Sequence, residues 1–183
     1  MNIFVLDADP KRAAKMHCDT HCSKMILESA QMLSTAAHIA SGKLRVFEKP
    51  NGKKGHYASG ALSCIYRPDI RHLHHKCTEW VYESRDNFDW TVELAEALHA
   101  EKLYRTGKGH ASIDVVRRCV QYRKGLPSQG LTPFALAMPD EIQSRDAVRS
   151  YRRYYVDEKA HLLEYTRRDP PVWLAKHFEW ERF

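Results

Sequence analysis

Apolar and polar positions follow two rhythms along the first forty residues. Residues 3–7, IFVLD, form a short β-prone run that predicts either one edge strand or an extended arm. From Pro10 the period becomes helical: Ala14, Cys18, Cys22, Met25, Ser29, Met32 and Ala36 recur at steps of three and four on one small, apolar flank. Asp9 followed by Pro10 is a helix-start signal, and no Gly or Pro interrupts the pattern before Gly42. One helix is therefore predicted from Pro10 to about Ala40. The next twenty residues, SGKLRVFEKPNGKKGHYASG (41–60), are polar and Gly-rich and read as a long flexible basic loop with a turn at Pro50–Asn51–Gly52. Lys43, Lys49, Lys53 and Lys54 make it a basic flap; a solvated insertion is the other reading.

A second helical stretch is predicted from about Pro68 to Tyr104, where Trp80, Asn87, Trp90, Leu94 and Leu98 recur at helical spacings. GKGHAS (107–112) breaks it, and Ser112 caps a shorter helix through Val120. KGLPSQGLTPF (124–134) is loop. Asp140 is predicted to cap a helix running through Tyr155 to about Tyr165, and Asp169–Pro170–Pro171 opens a C-terminal segment, 169–183. The pattern predicts a mainly α, single-domain helical bundle spanning residues 1–183, with a short N-terminal extended segment and a long basic loop.

Composition sharpens this picture. The 183 residues are 43% hydrophobic and 28% charged, enough for a core. No apolar run approaches the roughly 18–20 residues that a membrane span needs. The start, MNIFVLDADPKR, lacks the basic opening and small-residue site of a signal peptide. Five cysteines, an odd number, suit a reducing compartment, so a cytoplasmic location is expected. A formal charge of +6 favours a polyanionic partner, nucleic acid first.

The candidate chemistry starts on the first helix. His17, His21, Lys24, Glu28, Gln31 and Thr35 share one stripe. An enclosed Glu28 beside Lys24 is a carboxylate placed to move protons; a solvated face with ion pairs contributing roughly 0.2–0.5 kcal/mol each is the bland alternative. RHLHHKCTEW (71–80) brings in His74 and His75, either of which is a candidate to reach the Glu28 side as an acid/base or phosphate donor. Cys18, His21, Cys22 and Cys77 have spacings that two facing helices could turn into a zinc site, but no finger or ribbon signature supports it, and no metal or cofactor is expected. YRRYYVDEKAH (151–161) sets Tyr151 beside Arg152 and Arg153, a pairing suited to phosphate contact and base stacking, or simply to an amphipathic helix. Arg105, Lys108 and His110 at a helix end add a further candidate phosphate grip, and Trp80 and Trp90 are candidate stacking rings. GxSxG, HExxH, the P-loop and paired CxxC are missing, which argues against serine hydrolases, zincins, P-loop enzymes and zinc ribbons.

DTHCSKMILE, with His21 seven residues before Glu28, resembles the catalytic helix of the phage pyrimidine-dimer DNA glycosylase (endonuclease V) family. YRRYYVDEKA resembles that family's aromatic-basic segment near the C-terminus, which lies against DNA. MNIFVLD, KMILESAQML and LTPFALAMPDE also resemble blocks found in a group of phage and large-virus proteins. The glycosylase resemblance covers about a quarter of the chain. It implies a DNA-repair enzyme with N-glycosylase and AP-lyase activity, in which the α-amino group attacks the sugar C1′ to form a Schiff base and the helix glutamate assists. Carried over, Glu28 is the acid/base. Because Asn2 is expected to leave Met1 attached, the nucleophile is the Met1 amine, with Lys24 a second candidate amine. Leu27 stands where the family has an arginine before its glutamate, and Ala30 or Gln31 where it has one a turn later. Two other readings stay open: a non-catalytic nucleic-acid-binding protein, and an enzyme acting on a nucleotide or small phosphorylated substrate.

Overall fold

The computed structural model describes residues 1–63, 65–68 and 70–175, and shows a mainly helical domain. Its axis is α2 (Asp19–Ala40), 22 residues long and buried on most sides by α3 (Lys76–Glu83), α4 (Arg85–Thr106) and α5 (Ser112–Cys119). α1 (Pro10–Met16) lies along α4, and α6 (Ala147–Lys159) closes the bundle over the N-terminal residues. The part of the C-terminal segment beyond residue 175 lies outside the described residues.

The single helix expected over 10–40 is two. Asp9 caps α1 as its sequence signalled, its carboxylate accepting the Lys11 and Arg12 amides. The helix then stops at His17, whose ψ of 138° is extended, although no Gly or Pro lies there. The cause is tertiary. Arg105, buried at the end of α4, donates to the His17 carbonyl at 2.8 Å and the Lys15 carbonyl at 3.1 Å, satisfying acceptors that α1 leaves open. The same guanidinium pairs with Asp19 at 2.9 Å, in the first turn of α2. One side chain thus staples the end of one helix to the start of the next.

The second long stretch also divides. His75 caps α3 by accepting the Cys77 amide, and Ser84 ends α3 while capping α4 through the Asn87 amide at 3.0 Å. Gly107, at φ 70°, ends α4 as expected. Asp140 starts only a single 3₁₀ turn; the helix proper waits for Asp146, whose carboxylate takes the Arg149 amide. The reason is the extended Gln143 between them, followed by a Ser144 amide bonded to the Ser150 hydroxyl rather than to a helical carbonyl.

Residues 41–60 are not a flexible loop but contain an antiparallel hairpin, β1 (Leu44–Glu48) and β2 (Lys54–Ala58), paired Leu44 to Ala58 through Glu48 to Lys54. The turn falls at 49–53, with Gly52 at φ 75°, where the Pro-Asn-Gly run pointed. Leu44 and Val46 alternate with Arg45 and Phe47; five residues per strand is too short to stand out against a charged background.

The N-terminal residues form the extended arm, threaded into the core. Ile3, Phe4, Val5 and Leu6 are all buried. The Phe4 ring stacks on His21 at 4.5 Å and meets Tyr151, Tyr154 and Tyr155. Phe4 sits at φ 34°, a left-handed conformation costing on the order of 1–3 kcal/mol for such a residue. The ring contacts, the Arg152 guanidinium on the Leu6 carbonyl at 2.9 Å and the Trp90 indole on the Ala8 carbonyl at 2.8 Å hold it there.

Candidate active site

The arm delivers the Met1 amine to the middle of α2. Asn2 orients the last step. Its side-chain oxygen accepts the Ile3 and Phe4 amides at 2.8 and 3.0 Å, its side-chain NH₂ donates to the Ala137 carbonyl, and its own backbone N–H donates to Glu28 Oε2 at 2.7 Å. The Met1 amine then lies 3.7 Å from the same oxygen. Lys24, one turn before Glu28, comes to 3.8 Å from Oε1 with its side chain 59% exposed, against 13% for Glu28. The carboxylate therefore accepts one short hydrogen bond and has two cations just beyond hydrogen-bond reach.

α3 supplies the next neighbours. The His75 imidazole is held below its usual range, first by partial burial and then by the Met1 amine, His72 and Lys76, with Glu79 opposing. Because His75 Nδ1 accepts the Cys77 amide, the neutral ring carries its proton on Nε2. Cys77 feels the same amine, but burial pushes its thiol up to about 12, so it stays protonated and unreactive. Tyr151 closes this corner, donating to the Ala135 carbonyl at 2.7 Å and accepting the Ala137 amide.

Of the residues singled out in the sequence, Met1, Lys24 and Glu28 come together, and His75 lies within the electrostatic influence of the Met1 amine. His21 does not join them as a proton carrier. It is buried under Phe4 and shares a hydrogen bond with the Tyr155 hydroxyl, and burial lowers its pKa to about 3. His74 faces Glu79 instead, at 3.6 Å. The proposed stripe thus splits by burial, with His17 and His21 under the arm and Lys24 in solvent.

The candidate nucleic-acid contacts fare unequally. Trp80 and Trp90 are core residues; Trp90 meets Trp80 and Phe134 edge-on, Trp80 packs tilted against Phe134, and their indoles are bonded to the Thr132 and Ala8 carbonyls, so neither offers a free face to a base. Tyr151 is fully buried. Arg105 is the staple described above, with Glu101 as a further partner; its donors are spent inside the protein. Arg152 holds Leu6 and faces Asp7, and Arg153 pairs with Asp157, although both border an open cleft with Arg149 and Trp173. Lys108 is exposed, while His110 is half-buried and accepts the Ser112 amide. Among the described residues no three His, Cys, Asp or Glu side chains converge as a metal site, and Cys18, Cys22, Cys77 and Cys119 are free and buried. No described helix is long and apolar enough to cross a membrane.

Asn2 is the positioning residue that sequence reasoning did not mark. Its only linear signal was its place beside the amine. Comparison with family models, with curated proteins and with solved structures found no match to this chain.

Proposed function

We propose that the protein is a DNA-glycosylase-like enzyme with lyase activity, using the Met1 amine as nucleophile and Glu28 as acid/base on a damaged or modified base. The observation that carries this reading is the approach of the Met1 amine to the Glu28 carboxylate at 3.7 Å on an arm whose backbone is fixed by Asn2. An amine becomes a nucleophile when a nearby group accepts its proton, and the carboxylate at 3.7 Å is close enough to do so after a small shift. In the reaction, the neutral amine nitrogen bonds to the sugar C1′, the glycosidic bond breaks, and its electron pair leaves with the base, which takes a proton. The nitrogen loses a proton to Glu28, which passes it to O4′ as the C1′–O4′ bond opens, leaving a protonated imine. The regenerated Glu28 carboxylate then takes a C2′ proton as the C3′–O3′ bond breaks and the 3′ phosphate leaves. In this reading His75 Nε2–H donates to the departing base and the exposed Lys24 contacts a phosphate at the rim. The target base must leave the stack to reach such a site.

Borohydride trapping on lesion-bearing oligonucleotides, with intact-mass and peptide mapping, tests the reading. The expected result is a covalent adduct at the Met1 nitrogen that falls at least about 100-fold in Glu28→Gln while DNA affinity changes little. A wild-type protein that forms no adduct and releases no base on any duplex tested excludes the amine mechanism.

A further inference from the structure

The hairpin over residues 44–58 has two unlike faces. In an antiparallel pair, directly opposed residues share a face. Leu44 is buried against α2, and Lys54 on the same face is ion-paired with Glu79 of α3, so this side is turned to the bundle. The opposite side carries Arg45 across from Tyr57, and Phe47 across from Gly55. Strand alternation, continued by the Lys49 amide on the Lys53 carbonyl and the Ser59 amide on the Lys43 carbonyl, adds Lys43, Lys49 and Lys53. Gly55 leaves room for this arrangement: a Cβ there would lie 2.8 Å from the Phe47 ring and from the Lys49 stem, so both side chains lie flat across the partner strand.

The outward face therefore presents four cations and two rings. Lys43, Arg45, Lys49 and Lys53 are exposed, and among the described residues none has an acidic partner. Tyr57 is 63% exposed and Phe47 49%. Arg105, Arg117 and Arg152 are spent on the protein's own carboxylates and carbonyls, whereas this ribbon leaves its charge unspent. Regularly spaced cations beside open aromatic faces match the chemistry of single-stranded nucleic acid, whose phosphates take the charges and whose unstacked bases take the rings.

We infer that the outward face of the 44–58 hairpin binds single-stranded nucleic acid, with Lys43, Arg45, Lys49 and Lys53 on phosphates and Tyr57 and Phe47 under bases. The inference deepens the DNA reading above and rests on it for the partner; it names a binding surface separate from the amine site. The ribbon is tied to that site through Glu79, which holds Lys54 and His74 and lies within the electrostatic reach of His75.

The test is fluorescence anisotropy with labelled oligodeoxythymidylate, and oligouridylate in parallel to separate DNA from RNA. Quadruple replacement Lys43→Gln, Arg45→Gln, Lys49→Gln, Lys53→Gln is expected to weaken binding about 100-fold and to lower the slope of log affinity on log salt by about 3. Tyr57→Ala is expected to cost about tenfold. Lys11→Gln with Lys15→Gln, on exposed positions of α1, is the matched control and should change affinity less than about twofold. Circular dichroism and melting confirm that each variant folds. Equal affinity of the ribbon variants and wild type, or no binding by wild type, overturns the inference. So does ribbon-dependent binding to phosphatidylserine vesicles without binding to oligonucleotide. Ribbon-dependent binding with no borohydride adduct leaves the ribbon standing and removes the lyase; an adduct formed equally by ribbon variants of unchanged affinity does the reverse.

Discussion

Two charged clusters sit about α2, and they differ in how completely their polar atoms are used. Around Arg105, the guanidinium meets Asp19, Glu101 and two backbone carbonyls, and Glu101 also takes a forked contact from Arg168 at 2.6 and 2.9 Å. Glu101 is held below the usual carboxylate range: burial raises its pKa, but the hydrogen bonds and charges of Arg168 and Arg105 outweigh that. Around Glu28 the carboxylate has one short bond, and the Met1 amine and Lys24 stand at 3.7 and 3.8 Å. A saturated cluster is a structural joint, because moving any member strands a buried charge. An unsaturated one has room for a proton to move and for a substrate to complete the set.

This contrast sets the order of expected effects. Removing the joint is the largest: Arg105→Met is expected to destabilise the fold by about 3–5 kcal/mol in urea titration, since Glu101 and Asp19 lose their buried partner and the α1 carbonyls lose their donor. A loss under about 1 kcal/mol would show that the break at His17 does not depend on this side chain.

Acid comes next. Burial lowers His17 to about 4 and His21 to about 3, against an ordinary 6.5. In His17, Nδ1–H donates to the Ala13 carbonyl at 2.8 Å while Nε2 is buried without a partner among the described residues, a lone pair that fits the neutral ring. Below about pH 6.5 the unfolded chain takes up protons that the folded chain refuses, so stability is full above that pH and falls as pH drops toward 4 for His17 and 3 for His21. The loss is on the order of 3 kcal/mol for His17 alone. Urea midpoints measured between pH 7 and 4.5 should fall, and His17→Gln should flatten that dependence; a flat wild-type profile would show that both imidazoles protonate freely in the native state.

The open cluster should respond in the opposite sense. Glu28→Gln is expected to shift stability by less than about 1.5 kcal/mol, since the amide oxygen can still accept the Asn2 N–H, while eliminating borohydride adduct formation. If that substitution instead melts the protein as Arg105→Met does, the two clusters are alike and the carboxylate is a structural anchor for the arm. Smallest of all is Lys24→Ala, expected to change stability by about 0.5 kcal/mol or less because its ammonium is largely in water.

Much of the bundle was legible in the chain, and what escaped did so for identifiable reasons. Helical periodicity, the Asp9–Pro10 start and the Gly42 and Gly107 stops are local signals, each acting within a turn or two, and they mark where helices exist. Glu28 stood out as the carboxylate in a polar stripe beside the apolar flank of the first long helix. That much is determined by the sequence alone: a mainly helical domain with one misplaced carboxylate and a surplus of positive charge. The break at His17 was invisible because its cause lies on α4, at Arg105, and no local rule asks for it. The same distance separates Met1 from Glu28, and Phe4 from His21 and Tyr155; only the folded arm brings them together, because its apolar residues are buried by packing against helices far along the chain. Tertiary structure also decided which arginines are spent and which cations stay free, since that depends on where carboxylates and carbonyls lie in space, and a count of charges cannot distinguish the two.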